Sequence, residues 1–385
     1  MSMQGFKSGD SMERVYLDNA ATTKIRPEVL DVMVRAYSEF GNPSSVHREG
    51  QHAKKAIEEA RESIALSLNC DPAEIYFTSG GTESDNWAVK CAAKGHVITS
   101  KIEHPAVLRS VEMLEKHGLK VTYLPVDKNG LISPDSLEKA LTPDTSLVSV
   151  MMANNEIGTI EPIRELSSIA HDHGTLFHTD AVQAVGTVPV DIQKLGVDLL
   201  SFSAHKFYGP KGIGGLYVKK ETEISSLLNG GSQEFNKRAG TQNVPGILGM
   251  AEALRLSVSE QEKTVARISE LRDLLKKELV DKIPAVLFHG DESSSLPGIV
   301  NFYIPGMDGE KTLLLLDVKG FACSGGAACS SKDSAVSHVL SAIGATKEEA
   351  KNSLRISIGA YNEKEEIHSF VTALTTILDK EIKRL

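Results

Sequence analysis

One lysine in this sequence is placed where an amine could attack a carbonyl group. Lys206 follows an apolar run, 197–202, that is typical of a buried strand. Ser203 and His205 beside it can donate hydrogen bonds to an anion. An amine forms a Schiff base only when unprotonated, and burial or a neighbouring cation lowers the pKa of lysine from about 10.4. A lone lysine after a strand is more often a surface residue. Whether Lys206 has a chemical role therefore depends on the residues at the other strand ends.

Polar residues stand at the ends of several other predicted strands. Gly81 and Thr82 open a predicted helix, whose free N–H groups could hold a phosphate. His104 precedes the next helix, where an imidazole could stack on a flat ring. Asn155 and Asp180 follow two further strands, and an aspartate there could keep a pyridine nitrogen protonated. Each feature by itself is more often a turn, a cap or a core residue.

Together these residues supply the groups that pyridoxal 5'-phosphate needs. The aldehyde requires an amine, the ring nitrogen an acid, and the phenolic oxygen a hydrogen-bond donor. The ring face requires a flat cover, and the phosphate requires a cup of donors. All five kinds of group follow predicted strands in the first 206 residues.

Composition excludes several other classes of protein. The chain has 385 residues, 41% of them hydrophobic, which is enough for a large core, and its net charge of -9 disfavours binding to nucleic acid or anionic membranes. No apolar run reaches the roughly 18 residues of a membrane span, and the N-terminus lacks a signal-peptide core. Four cysteines without a CxxC pair predict neither a disulfide framework nor a structural zinc site. We therefore expect a cytoplasmic protein.

Strands alternate with helices through most of the chain, which predicts an α/β fold with a parallel sheet covered on both faces. We expect a disordered lead over 1–15 and a large domain over 16–250, its first strand and loop packing near a smaller α/β domain at 251–385. A helical region over 251–283 is predicted to link the two domains. Ligands of such sheets bind beyond the carboxyl ends of the strands.

Motifs in a fixed order identify a resemblance over nearly the whole chain. They are LDNAATT, GNPSSVH, TSGGTES, EHPAV, NNEIGT, HTDAVQ, SFSAHKFYGPKGIGG, GTQNVPG and AACSS. The chain resembles the cysteine desulfurases of the NifS/IscS type, within the class V aminotransferase-like, fold-type I pyridoxal phosphate enzymes. The resemblance implies a homodimer with a mainly parallel sheet in its large domain, which removes sulfur from L-cysteine and releases L-alanine.

The resemblance also implies a role for each matching residue. Lys206 would bind the cofactor covalently, Asp180 would contact the pyridine nitrogen, and His104 would stack on the ring. The remaining contacts would be Gln183 and Asn155 at the phenolic oxygen, Gly81, Thr82, Ser203 and His205 at the phosphate, and Thr241 at the phosphate of the partner subunit. The substrate would be bound by Arg355, at its carboxylate, and by Asn155. Without the resemblance, Arg355 would be interpreted as a surface arginine leaving a strand.

Cys329 lies in a segment rich in Gly, Ala and Ser, about 322–338, that we expect to be a mobile loop. Our hypothesis is that its thiolate takes the sulfur of L-cysteine as a persulfide, while Lys206 moves the protons and His104 relays the thiol proton. The length of the loop resembles the branch whose persulfide reaches an acceptor protein. Gly326 and Ala327 depart from the usual motif. Cys323 is interpreted as structural, with a disulfide to Cys329 as the alternative.

Other interpretations remain open at this level. A selenocysteine lyase or an aminotransferase of the same fold would use the same cofactor groups, although an aminotransferase needs no thiol nucleophile. A non-catalytic protein that binds a partner or a metal through the loop is the other alternative. We expect no metal, because Cys323 and Cys329 form no CxxC pair and His338 alone is not enough. The sulfur acceptor is either an iron–sulfur scaffold or a tRNA-thiolation protein.

Overall fold

The computed structural model describes residues 14–38, 40–325 and 336–382. Most of the predicted N-terminal lead, and Cys329 itself, lie outside the described residues. The strands are β1 Val15–Tyr16, β2 Ile75–Thr78, β3 His96–Ser100, β4 Val121–Leu124, β5 Thr145–Ser149, β6 Leu176–Asp180, β7 Leu199–Ser203, β8 Gly214–Val218, β9 Leu287–His289, β10 Ile299–Tyr303, β11 Phe321–Ala322, β12 Ser324–Gly325 and β13 Leu354–Ser357.

Helices connect and cover these strands. They are α1 Pro27–Tyr37, α2 Arg48–Leu68, α3 Gly81–Ala92, α4 Pro105–Lys116, α5 Pro134–Ala140, α6 Ile163–Asp172, α7 Ile192–Leu195, α8 Gln233–Asn236, α9 Val244–Ser259, α10 Gln261–Lys282, α11 Gly309–Val318, α12 His338–Ala342, α13 Lys347–Asn352 and α14 Lys364–Ile382. Among the helices that the structure describes, none has the length and hydrophobicity needed to cross a bilayer.

A seven-stranded sheet forms the centre of the fold, in the order β2-β8-β7-β6-β5-β3-β4. Neighbouring strands from β7 to β4 are parallel, whereas β8 is antiparallel to both of its neighbours. Both faces are buried, since in β5 Val148 belongs to one core cluster and Leu147 to another, and Leu200 and Leu199 of β7 divide in the same way. The predicted α/β class with a mainly parallel sheet is confirmed.

A second, four-stranded antiparallel sheet has the order β12-β13-β10-β9. It shares a separate core with α10 and α14, to which Leu271, Leu275 and Phe370 contribute. β1 pairs with β11, so the start of the chain packs against this C-terminal part, and β1 begins at Val15 within the segment predicted as a lead. The domain boundary expected at residue 250 stays a prediction.

Two local features differ from the sequence-based expectation. The helical region expected over 251–283 starts earlier and is divided at Glu260 into α9 and α10. β8 was not predicted, because Gly214 and Gly215 read as part of a turn. A Cβ on Gly215 would lie 2.2 Å from the ring of Phe202, and one on Gly214 would lie 2.7 Å from Gly80 Cα. These glycines serve close strand packing and not a turn.

Candidate active site

A cavity of about 580 Å³ lies at the carboxyl ends of the parallel strands, the edge where ligands of such sheets bind. Every predicted site residue except Thr241 and Cys329 lines it. These residues are Gly81, Thr82, His104, Asn155, Asp180, Gln183, Ser203, His205, Lys206 and Arg355. The fold therefore brings together side chains from residues that are up to 274 positions apart, between Gly81 and Arg355.

Lys206 lies at the end of a single 3-10 turn, Ala204–Lys206, that follows β7 directly. Its side chain is half-buried, and Nζ donates hydrogen bonds to the carbonyl oxygens of Ala20 and Ala21, at 3.0 Å for Ala21. The loop after β1 thus holds the amine inside the cavity. An amine held at a strand end and partly withdrawn from water can serve as a nucleophile or a base.

Asp180 is the last residue of β6 and is 5% exposed. Its Oδ1 accepts a hydrogen bond from the backbone N–H of Val182 at 2.9 Å. Asp180, His104 and Asp85 each place one side-chain oxygen or nitrogen within 4.8 Å of the others. Burial raises the pKa of Asp180, while His104 and Lys206 nearby act in the opposite direction. A buried carboxyl of this kind ionises most easily beside a cationic group.

His104 is the N-cap of α4, and its Nδ1 accepts a hydrogen bond from Ala106 N at 3.1 Å. Burial lowers the pKa of His104, so the ring is neutral near pH 7. Because the lone pair of Nδ1 is used, the proton of the neutral ring lies on Nε2. His104 therefore presents a flat face and a donor to the cavity, and the expected relay of a thiol proton stays a prediction.

The N-terminus of α3 forms a cup at one end of the cavity. Gly80 precedes the helix with φ of 148°, a left-handed conformation that favours glycine, and it provides no side-chain cap. A Cβ on Gly81 would lie 2.7 Å from Val182 Cγ2, and one on Gly80 would lie 3.6 Å from Ser203 Oγ. The open helix end and the Ser203 hydroxyl suit a phosphate.

His205 adds a polar group to the same cavity wall. Its Nδ1 lies 3.1 Å from Thr22 Oγ1. Burial, together with Lys206 and Lys211, lowers the pKa of His205 to about 4, so the ring is neutral when the cavity holds no anion. A neutral imidazole can donate one hydrogen bond to a phosphate without adding a buried charge.

Arg355 is 2% exposed, so its interpretation as a surface residue is wrong. One terminal nitrogen donates to Asn155 O at 2.9 Å and the other to Asp18 Oδ1 at 2.8 Å. Nε has no hydrogen-bond partner among the described residues. The guanidinium lines the cavity, and its planar, charged set of donors suits a carboxylate there. Gln183 is also held in place, since its Nε2 donates to Ala20 O at 2.9 Å.

Several residues that line the cavity were not singled out from the sequence. They are Asp18, Ala20, Ala21, Thr22, Ser79, Glu83, Asp85, Lys211 and Ser324. Asp85 lies one turn after Gly81 on α3, and this i, i+4 spacing could have placed it on the same face. Its Oδ1 is buried without a hydrogen-bond partner among the described residues, 3.8 Å from His178 Nε2. Burial, together with the nearby charge of Asp180, raises the pKa of Asp85 well above the usual range.

Thr241 is exposed and does not line the cavity of its own chain. Cys329 lies outside the described residues, but both flanks of its segment attach to the cavity walls. On one side Ser324 pairs with Arg355, and on the other Ser337 Oγ donates to Glu156 Oε2 at 2.6 Å. The chain between these flanks therefore starts and ends beside the cavity.

Cys70, Cys91 and Cys323 are free and partly buried. Burial, with a smaller contribution from Asp18 and Asp317, raises the pKa of Cys323 to about 12. The thiol of Cys323 is therefore protonated at neutral pH and is a poor nucleophile.

These groups fit pyridoxal phosphate. The buried Asp180 carboxyl matches a protonated ring nitrogen, and the half-buried Lys206 amine matches an aldehyde. The glycine-rich start of α3, with Ser203, matches a phosphate. The neutral His104 ring could provide a flat cover. Their convergence in one cavity favours this cofactor.

Comparisons with known proteins agree on one family. Residues 15–370 match the family model described as aminotransferase class-V. A cysteine desulfurase IscS of Dictyoglomus turgidum is 52% identical over 373 residues, which cover 95% of each chain. One from Methanosarcina thermophila is 48% identical, covering 95% of this chain and 92% of its own. Among solved structures, a NifS-like protein with 40% identity superposes with a TM-score of 0.90, over 95% of this chain and 99% of its own.

Proposed function

This chain belongs to the class-V aminotransferase family and is a pyridoxal phosphate-dependent cysteine desulfurase, and we propose that it stores the sulfur of L-cysteine as a persulfide on Cys329. The family and activity expected from the motifs are confirmed. The observation that carries the site assignment is the cavity in which Lys206, Asp180, His104 and Arg355 converge.

Each group of the cofactor has a matching residue. Lys206 would hold its aldehyde carbon, Asp180 its ring nitrogen, and His104 one face of its ring. The other contacts would be Gln183 and Asn155 at the phenolic oxygen, with Gly81, Thr82, Ser203, His205 and the partner subunit's Thr241 at the phosphate. Pyridoxal phosphate, when bound, supplies an electron-withdrawing ring that stabilises negative charge at Cα of the substrate.

The chain's own residues bind the substrate and move its protons. Arg355, whose guanidinium lines the cavity, binds the carboxylate of L-cysteine. The neutral amine of Lys206 removes the proton at Cα and later returns one. The thiolate of Cys329 attacks the substrate sulfur. An S–S bond forms, the Cβ–S bond breaks, and its electron pair stays with the carbon skeleton, which takes up a proton to become alanine.

The position of Cys329 in the chain is compatible with this attack. Cys329 lies four residues after Gly325, the last residue of β12. Four extended residues span at most about 14 Å, and β12 pairs with the strand that carries Arg355. This short separation in sequence supports the proposal that Cys329 acts at the substrate-binding end of the cavity.

Replacing Arg355 with lysine is expected to raise KM for L-cysteine about 30-fold and to lower kcat less than fivefold. Lysine keeps the charge but cannot satisfy Asp18, Asn155 and a substrate carboxylate with one planar group. Steady-state kinetics of alanine release measure both constants. Arg109→Lys on the exposed side of α4 is the matched control, with unchanged kinetics. An Arg355→Lys enzyme with the wild-type KM would show that the substrate carboxylate does not bind to Arg355.

We propose a homodimer in which α1 lies at the interface. Leu30, Val34 and Tyr37 follow i, i+4, i+7 spacing and are 48%, 59% and 71% exposed, which leaves an apolar stripe in contact with water. Phe40 and Val46 in the next loop are 87% and 93% exposed. A patch of this kind is typical of a protein interface.

A Val34→Asp substitution is expected to convert the dimer to monomers at micromolar concentration and to weaken pyridoxal phosphate binding at least about tenfold. A charge in the apolar stripe must lose its hydration when the interface forms. Light scattering gives the mass, and a cofactor titration gives the affinity. Val280→Asp is the control, since Val280 is 49% exposed on α10, a helix that packs on the other core. A Val34→Asp protein that stays dimeric would show that this face of α1 is not the dimer interface.

The reaction itself is tested on the purified chain loaded with pyridoxal phosphate. L-cysteine and a thiol reductant should yield equal amounts of alanine and sulfide, whereas pyruvate and ammonia would indicate elimination instead. Comparing kcat/KM for L-cysteine and L-selenocysteine distinguishes a desulfurase from a selenocysteine lyase.

We propose a cytoplasmic location, supported by the three free cysteines, and a sulfur acceptor that is an iron–sulfur scaffold or a tRNA-thiolation protein.

A further inference from the structure

A left-handed turn lies shortly before Thr241. Glu234, Phe235 and Asn236 have φ angles of 43°, 54° and 65°, so α8 is not a regular helix. Residues with a Cβ rarely adopt this conformation even singly, and three in succession are costly. Such a turn persists only where its surroundings hold it, and strained backbone of this kind is concentrated at functional sites.

The carboxylate of Glu234 holds the turn from inside the protein. Arg61 of α2 donates to both of its oxygens, at 2.9 and 3.1 Å, and both side chains are almost fully buried. Phe77 N of β2 donates to Oε2 at 2.9 Å, and Gln242 Nε2 donates to Oε1 at 3.0 Å. Gln242 is the residue after Thr241. The buried Glu234 carboxylate therefore holds the chain both before Thr241, at Glu234 itself, and after it, at Gln242.

Two aromatic rings close around this ion pair. The Arg61 guanidinium lies 4.4 Å from the ring centre of Phe77 and 5.0 Å from that of Phe235. Phe235 is a residue of the left-handed turn itself. The turn therefore gains a cation–π contact only while it keeps this conformation.

A second ion pair ties the same segment to the start of α3. Arg238 donates to Glu83 through Nε at 2.7 Å and through a terminal nitrogen at 3.0 Å. Glu83 Oε2 also accepts from Ser79 N at 2.7 Å, and Glu83 lies two residues after Gly81. The segment from Glu234 to Gln242 is thus fixed by two ion pairs. Glu234–Arg61 is buried in the protein, and Arg238–Glu83 lies beside the glycine-rich start of α3.

We propose that the Glu234–Arg61 and Arg238–Glu83 pairs form a clamp that positions Thr241 to bind the cofactor phosphate in the partner subunit's site. This rests on the proposed homodimer and its cofactor. Thr241 is exposed and lies outside the cavity of its own chain, and neither Glu234 nor Arg61 lines that cavity. Glu234 and Arg61 are positioning residues, since they would act on the partner's phosphate only through Thr241.

Glu234→Gln is expected to weaken pyridoxal phosphate binding about tenfold, because it removes a charged hydrogen-bond acceptor that holds the turn. The dissociation constant is measured by titrating the cofactor-free dimer and following visible absorbance. Glu58→Gln is the matched control: Glu58 also contacts Arg61 but is 43% exposed, and its loss should change the constant less than twofold. Gln242→Ala, at a half-buried position, should weaken binding about fivefold even if Glu234→Gln folds poorly.

Mixed dimers test whether the clamp acts across the interface. In the first mixed dimer, one chain carries Lys206→Ala and the other carries Glu234→Gln. The only site that can bind the cofactor through lysine then lies in the Glu234→Gln chain, and its Thr241 comes from the Lys206→Ala chain, whose clamp is intact. We therefore expect near wild-type affinity. In a wild-type chain paired with a Lys206→Ala, Glu234→Gln double variant, the only lysine-linked site receives Thr241 from the damaged clamp and should bind about tenfold more weakly.

The opposite pattern, with weak binding following the chain that carries Glu234→Gln, would show that Glu234 supports its own site and would overturn the clamp. Wild-type affinity in the Glu234→Gln homodimer and in Gln242→Ala would also overturn it. A wild-type chain that is monomeric, or that binds no pyridoxal phosphate, would instead contradict the proposed function on which the clamp rests.

Discussion

Replacing Lys206 with alanine is expected to lower kcat/KM for L-cysteine by about 10⁴-fold or more and to abolish covalent attachment of the cofactor. The loss combines two roles, since the same amine would hold the aldehyde and move the proton at Cα, and a general base by itself contributes about 10²–10⁴-fold. The fold should be unaffected, because the Lys206 side chain lines the cavity and belongs to neither hydrophobic core. Alanine release and the visible spectrum measure the two effects.

Lys116→Ala is the control for the lost charge, because Lys116 is exposed in the last turn of α4. It should keep the wild-type rate and spectrum. Added methylamine provides a second check, since a small amine can occupy the space left by the lysine side chain and act as a base. A Lys206→Ala enzyme that retains the visible spectrum and a rate within tenfold of wild type would show that another amine carries the chemistry.

Replacing Cys329 with alanine is expected to lower sulfide release at least about 100-fold while leaving the visible spectrum and the pyridoxal phosphate affinity unchanged. Without the thiolate, the substrate sulfur has no nucleophile to accept it, whereas the cofactor groups in the cavity are intact. The two effects separate binding from sulfur transfer. Alanine and sulfide are assayed from L-cysteine with a thiol reductant, in parallel with a cofactor titration.

Cys323→Ala is the matched control because it removes a thiol from the same part of the chain. Burial raises the pKa of Cys323 to about 12, so it should contribute little thiolate at neutral pH and its loss should leave the rate within about twofold. If Cys329→Ala kept the wild-type rate, the persulfide would have to form elsewhere. If both variants lost activity equally, resolution through a Cys323–Cys329 disulfide would be favoured.

Much of the candidate site could be predicted because an α/β sheet gathers its chemistry at strand ends. His104 follows the β3 edge, Asp180 ends β6, and Lys206 comes directly after β7. Each is visible in the sequence as a polar residue at the end of an apolar run or a few residues after it. Parallel strands place these ends at one edge of the sheet, so linear spacing becomes spatial proximity.

The parts that were not predicted depend on long-range contacts. Gly214 and Gly215 form a strand because of how closely Phe202 and Gly80 approach them, which a local pattern cannot reveal. Glu234 and Arg61 are separated by 173 residues, and the local sequence around neither residue predicts that they pair. In the sequence Asp85 resembles an ordinary acidic residue of a surface helix, whereas the fold buries it beside Asp180.

The most direct test of the account is to locate the sulfur after one turnover. The cofactor-loaded enzyme is given one equivalent of L-cysteine without reductant, alkylated and digested, and each cysteine-containing peptide is analysed by mass spectrometry. The account predicts one extra sulfur atom on the Cys329 peptide, in an amount equal to the alanine released. Equal alanine with the extra sulfur on Cys323, or with no persulfide on any peptide, would contradict it.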